Sequence, residues 1–157
     1  MSAIGSLPRE VVIDACVVGA WSFSEDDTAA AQKVRSLVYG RRLTGCVPEL
    51  FWAELQEVCR KKRLLVGISS SDAETAYAMA GTSPLVEIPR VLEDLRADAW
   101  YWVTTLNLGS YDAHYLSLAL ALGLDVWTFD RGKFRDRTLG DPRTAGRVKV
   151  PGEDVLL

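Results

Sequence analysis

The sequence predicts an α/β protein, a three-layer α/β/α sandwich with a central parallel sheet of four to five strands. Two observations carry this expectation. Short apolar runs closed by turn residues alternate with longer stretches of helical periodicity, the pattern of successive β-α-β units. The apolar runs are also nearly continuous, as in strands covered on both faces. Size adds a bound: 157 residues suffice for one substantial core, so a single domain spanning 1–157 is expected.

The elements follow in order. Val11–Cys16, VVIDAC, is apolar except for Asp14 and reads as a buried strand. Asp26–Tyr39 carries Ala30, Val34, Leu37 and Val38 at helical spacing, with Gly40 as a stop. Thr44–Val47 is a second strand ended by Pro48, and Glu49–Leu65 a long helix. Ser69–Ala80 is a helix opened by Ser-Ser-Ser-Asp and closed by Gly81. Leu85–Ile88 is a third strand closed by Pro89; Val91–Leu106 and Tyr111–Leu122 are helices separated by Gly109. Asp125–Phe129 supplies a fourth strand and Val148–Val150 a short fifth. Right-handed crossovers between parallel strands cover both faces of such a sheet. Ligands then bind outside the carboxyl ends of the strands.

Composition excludes several classes. Hydrophobic residues at 48% and charged residues at 25% argue against a largely disordered chain. The longest apolar run, Tyr115–Leu122, falls far short of the ~18 residues of a membrane span. The start, MSAIGSLPREVVID, lacks a basic residue followed by an apolar stretch, so no secretory signal is expected. Cys16, Cys46 and Cys59 are odd in number and lack CxxC spacing, which reads as reduced thiols in a cytoplasmic protein. His114, the single histidine, excludes a His-rich zinc site and reads as a helix-surface residue.

The net charge of −3 hides an uneven distribution. Between Arg131 and Lys149 seven basic residues face two acids, a segment of +5. Arg60–Arg63 is a second basic block, read first as a solvated helix end. The segment beginning with Arg131, Lys133 and Arg135 leaves the ligand-binding edge directly, and is the better candidate for contact with phosphates.

Four acids are placed for chemistry. Asp14 follows Val-Val-Ile and Asp130 follows Val-Trp-Thr-Phe, so both stand where strands exit. Leu50, Glu54 and Val58 lie at i, i+4 and i+8, so Glu54 interrupts an apolar helical stripe. Asp112 falls in the first turn of a helix that is apolar almost all round, with Ser110 available as its cap. Each has an ordinary structural explanation taken singly: strand-end caps for the two aspartates at strand exits, an ion pair for Glu54, a helix-dipole partner for Asp112. Converging on one edge they would repel and require a cation. A hard divalent ion, Mg²⁺ or Mn²⁺, suits an all-oxygen set and metal-assisted phosphodiester hydrolysis. Thr128, two residues before Asp130, shares its face of the strand and is placed to support the site.

These segments together resemble a PIN-domain ribonuclease, most of all the VapC-type toxins of prokaryotic toxin–antitoxin pairs. The matching stretches are VVIDACVVGAW around Asp14, VPELFWAELQEV around Glu54, SYDAHYLSLALALGL around Asp112 and VWTFD around Asp130. The likeness runs from about Val11 to Val150. It implies a PIN-like fold and RNA cleavage with Mg²⁺ or Mn²⁺. Asp14 and Asp112 would be the main ligands; Asp130 and Glu54 would complete the charge and orient water. It also implies products with 5′-phosphate and 3′-hydroxyl ends and inhibition by a small antitoxin filling the groove. Thr128 matches a position that often carries Thr or Ser. Cys16 departs from the pattern, standing where many relatives have a small polar residue. The alternatives are a PIN nuclease of RNA processing without an antitoxin, and a PIN-like binding module without activity. Phosphoryl transfer of the haloacid-dehalogenase type is disfavoured, because Asp14 is followed by Ala15-Cys16-Val17 with no second Asp. Trp100, Tyr101 and Trp102 in a row cannot all face one core, which predicts a homodimer interface.

Overall fold

In the computed structural model, which describes residues 8–89 and 94–157, five strands form one parallel sheet. They are β1 (Arg9–Ile13), β2 (Leu43–Pro48), β3 (Val86–Ile88), β4 (Val126–Trp127) and β5 (Val148–Lys149), in the order β3-β2-β1-β4-β5. The chain moves outward from β1 through β2 to β3, then returns to the other side of β1 to build β4 and β5. The switch point of the sheet therefore lies between β1 and β4, where ligands of open parallel sheets bind.

The connections are helical. Between β1 and β2 lie α1 (Ala15–Gly19) and α2 (Thr28–Tyr39); between β2 and β3 lie α3 (Phe51–Lys61) and α4 (Ser70–Gly81). Between β3 and β4 lie α5 (Asp94–Leu106) and α6 (Ser110–Leu122), and α7 (Asp136–Thr138) precedes β5. Helices α1 to α4 pack among themselves and α2 against β2, whereas α6 packs on β1, β2 and β4 and is covered by α5. Right-handed crossovers in opposite directions put these two groups on opposite faces. The expected three-layer sandwich is the observed one. Its core centres on Val11, Val12, Ile13, Phe51, Leu55, Tyr115, Leu116 and Trp127.

Several boundaries differ from those the periodicity predicts. VVIDAC is not one strand: β1 ends at Ile13 and Asp14 caps α1, its carboxylate accepting from the Cys16 N–H at 3.2 Å. A continuous apolar run conceals this turn because α1 is buried as thoroughly as the strand. The long helix after β2 runs as α3 only to Lys61, then as a π-helical turn, Lys62–Val66, ended by Gly67 at φ +80°. Ser69 caps α4 as expected, accepting from the Asp72 N–H at 3.0 Å, but Ser110 is the first residue of α6 rather than its cap. Gly109 occupies the cap position and no side chain caps the helix. Strand β4 is two residues long, and beyond it the Thr128 hydroxyl accepts from the Asp130 N–H. The predicted helix start at Val91 lies outside the described residues. Among the described residues no helix is long and apolar enough to cross a membrane.

Packing of α1 against α3 rests on one small residue. A Cβ on Gly19 would meet Val58 Cγ1 at 2.8 Å, and Val58 lies one turn beyond Glu54 on α3. Gly19→Val should therefore push α3 away and destabilise the fold by about 1–3 kcal/mol, the usual cost of overpacking. Urea unfolding monitored by tryptophan fluorescence measures it; an unchanged midpoint would show that the two helices separate freely.

Candidate active site

The carboxyl edge of the sheet receives acids from both helical layers. Asp14 leaves β1 and Asp130 stands three residues beyond β4, so these two flank the switch point. Glu54 lies in the first turn of α3 on one face, and Asp112 in the first turn of α6 on the other. Helix N-termini point toward this edge because each helix runs back against the strands. Their dipoles favour negative charge there.

Asp14 is the most constrained. It is 3% exposed, and its carboxylate takes three donors. The Thr128 hydroxyl donates to Oδ2 at 2.6 Å, the Cys16 thiol to the same oxygen at 3.2 Å, and the Cys16 N–H to Oδ1. Thr128 Oγ1 in turn accepts the Asp130 N–H at 3.0 Å, and Cys16 Sγ accepts the Phe129 N–H at 3.4 Å. Thr128 is fully buried and joins the two strand exits, a closer role than sharing a face with Asp130. Cys16, expected only to lack a hydroxyl, holds Asp14 with both its thiol and its amide. Asp130 Oδ1 accepts from the Lys133 N–H at 2.8 Å, capping a π-helical turn, Arg131–Arg135.

Glu54 reaches the edge differently from the expected stripe. The buried positions of α3 are Phe51, Leu55 and Cys59, the neighbouring i, i+4, i+8 row. Glu54 sits on the flank of that row, half-buried, with Oε2 sealed from solvent and without a hydrogen-bond partner. Asp112 lies close to the helix cap: a Cβ on Gly109 would stand 3.3 Å from its Oδ2.

Burial and neighbouring charge act on three of the acids. Burial raises the Asp14 carboxyl, its hydrogen bonds oppose this, and the charge of Asp130 adds to it. Burial and then the charge of Asp14 push Glu54 up to about 8, with Asp112 adding a smaller push against the Tyr115 hydroxyl and Lys61. Asp112 rises to about 7 through burial, Asp14 and Asp130, opposed only by Arg137. Arg137 was not expected from the sequence; its guanidinium donates to the Asn107 carbonyl, and Asn107 holds a left-handed φ of +53°.

No three His, Cys, Asp or Glu side chains among the described residues already close into an ion cage. The donor set nonetheless fits a hard divalent cation. It is all oxygen, the charge of Asp14 raises both Glu54 and Asp112, and among the described residues none of the four carboxylates is in an ion pair.

The basic segment is placed less simply than its charge suggests. Arg131 pairs with Asp27 at 2.8 Å and Glu153 at 2.5 Å; Arg135 pairs with Asp136, Glu153 and Asp154. Lys133 is exposed, with no ion pair within 4 Å among the described residues. In the other block, Arg60 and Lys61 pair with Glu57, and Lys62 with Glu25. His114 is half-buried, its Nδ1 at 2.6 Å from the Ser110 carbonyl. It borders a cavity of about 310 Å³ at the same edge, with Pro48, Leu50, Ile88 and Leu95.

Such an edge, with acids from two strands and two helices at the switch point of a parallel sheet, defines a fold class that comparison with known proteins identifies. The PIN domain model matches residues 11–138, and the chain belongs to the PIN domain family. Among solved structures it is similar to the Mycobacterium tuberculosis toxin VapC20, described as cleaving the sarcin–ricin loop. The TM-score is 0.59 at 15% identity, over 78% of this chain and 91% of that one. No curated protein sequence matches significantly.

The raised carboxyls predict a pH dependence. Glu54 and Asp112 bind protons more tightly folded than unfolded, so their contribution is fully present below their ordinary values of 4.5 and 3.8. It is lost as pH rises through about 7 and about 8. Metal-free protein should melt at lower temperature at pH 8.5 than at pH 5. Mg²⁺ at ten times its Kd should restore about 1.4 kcal/mol, roughly 3–6 °C. Asp112→Asn should flatten the pH trend and gain less from Mg²⁺. Equal Mg²⁺ shifts in both proteins would show four unrelated acids.

Proposed function

We propose that this chain is a divalent-metal-dependent endoribonuclease, using Mg²⁺ or Mn²⁺ to hydrolyse RNA phosphodiesters, and the toxin of a toxin–antitoxin pair. The observation that carries the reading is the placement of Asp14, Glu54, Asp112 and Asp130 at the switch point of a PIN-family sheet, where burial and the charge of Asp14 raise Glu54 and Asp112. The likeness to VapC20 supports the toxin assignment and, with it, a small antitoxin as partner.

Each acid has a distinct task on this reading. Asp14 and Asp112 would hold the cation, with Glu54 and Asp130 completing its charge and orienting water. When bound, the cation lowers the pKa of water and neutralises charge developing on the phosphate. Thr128 and Cys16 fix Asp14 so that both of its oxygens point in set directions. Glu54 and Asp112 are able to keep a proton at neutral pH and would give it up in holding a cation. Lys133 is the exposed cation nearest to Asp130 in the chain and contacts RNA phosphate on this reading. Arg131 and Arg135 serve chiefly to fasten the turn behind it.

The direct test is cleavage of a defined RNA with and without Mg²⁺. Wild type should cut only with metal and Asp14→Asn not at all. Thr128→Val should lose about 10–100-fold, as partners that orient ligands do. Metal-independent cleavage, or full activity in Asp14→Asn, would overturn the reading. For RNA contact, Lys133→Glu should flatten the log–log salt dependence of binding by about 0.7 without lowering Tm. Arg131→Glu, which breaks two ion pairs, should lower Tm as well.

The oligomer is a homodimer on this reading. On α5, Trp102 is 5% exposed but Trp100 is 67% and Tyr101 42% exposed. Arg143 stiffens this face, its guanidinium lying 5.0 Å from the Tyr101 ring centroid and donating to its hydroxyl. Light scattering should give about twice the 17.3 kDa chain mass, and Trp100→Lys should return it to one chain.

A further inference from the structure

Tyr115 is a polar residue at the edge to which the sequence assigned no role. It lies on α6 three residues beyond Asp112, on the same side of the helix. The residue is fully buried, and its hydroxyl makes no well-formed hydrogen bond although the Glu54 carboxyl and the Ala15 backbone lie within its reach. Buried hydroxyls are rarely left so. The groups that face it are the Asp14 and Glu54 carboxyls and the Ala15 backbone.

A phenol has one proton to give, and the choice of acceptor is narrow. Asp14 is already served on both oxygens, by the Cys16 amide on one and by Thr128 and the Cys16 thiol on the other. Glu54 Oε2 is buried and open. An unused donor from one helical layer therefore stands beside an unused acceptor from the other, across the end of β1. Phenylalanine would fill the same space without an unpaired hydroxyl, so packing alone does not account for tyrosine here.

We infer that Tyr115 is a positioning residue: its hydroxyl donates to the Glu54 carboxylate and turns it toward Asp14, leaving the second Glu54 oxygen for a cation. The inference rests on the metal-dependent nuclease reading. It assigns Tyr115 no contact with substrate or with the reacting atoms. Its effect reaches the chemistry only through Glu54.

Tyr115→Phe removes the hydroxyl and keeps the ring. Isothermal titration with Mn²⁺ should show affinity about 10-fold or more weaker than wild type. RNA cleavage should show a lower kcat at unchanged KM. In EDTA the variant should melt at or above the wild-type temperature, because an unpaired hydroxyl has been removed. Unchanged Mn²⁺ affinity would overturn the inference. So would a lower melting temperature in EDTA accompanying the weaker binding, which marks a structural role. Asp14→Asn and Glu54→Gln separate this from the underlying reading. If both lose Mn²⁺ and Tyr115→Phe does not, the reading stands and the inference falls. If wild type itself binds no Mn²⁺, both fall.

Discussion

The structure depends on how one buried carboxylate is held. Asp14 sits at the end of the central strand with almost no solvent, a position that is costly for a charge without partners. Parallel pairing of β1 with β4 brings Thr128 beside it, and the turn into α1 brings the Cys16 amide and thiol. The same three donors that make burial tolerable also fix the carboxylate and join the exits of two strands. Thr128 and Cys16 carry the tie onward to Asp130 and Phe129. Loss of this knot would loosen the fold and the site together.

The hydrogen bonds do not remove the whole cost. Asp14 is still raised by burial, and its charge raises Glu54 and Asp112. A fold selected for stability alone would place an arginine among them. The cations present are arranged otherwise: Arg131 and Arg135 are committed to Asp27, Glu153 and Asp154, while Arg137 and Lys61 only partly offset the acids. The edge is thus left short of positive charge, the condition under which a bound cation contributes most. The core beneath, with Ile13, Phe51, Tyr115 and Trp127 fully buried or nearly so, makes up the stability that the edge forgoes.

How much of this was legible in the sequence depended on the signal available. The alternation of apolar runs and helical segments gave layers and strand number, because parallel strands and their crossovers carry distinct periodicities. Asp14 and Asp130 were visible because each ends an apolar run at a strand exit, where a cap is the ordinary explanation and where ligands also bind. Glu54 was found for a partly wrong reason: the buried row of α3 is Phe51-Leu55-Cys59, and Glu54 flanks it. Helix α1 was invisible, since five residues, four of them buried, show no helical period. Tyr115 was hidden in an apolar helix, where tyrosine reads as core. Its open hydroxyl appears only once α3 and α6 are placed on opposite faces of one sheet.

The charge distribution shows most clearly where counting residues ends and geometry begins. A net of −3 and a segment of +5 describe how many charges there are, not what faces them. Two of the three basic residues nearest Asp130 answer acids brought close by the fold, Asp27 from the start of α2 and Glu153 and Asp154 from beyond β5. Only Lys133, whose backbone amide is held by Asp130, keeps its side chain exposed. The acids behave in the opposite way. Scattered over about 116 positions of sequence and each with an ordinary explanation of its own, they gain meaning together because one switch point gathers them. Long-range pairing thus removes most of the apparent basic patch and creates the acidic one, so the chemistry of the edge is a property of topology more than of composition.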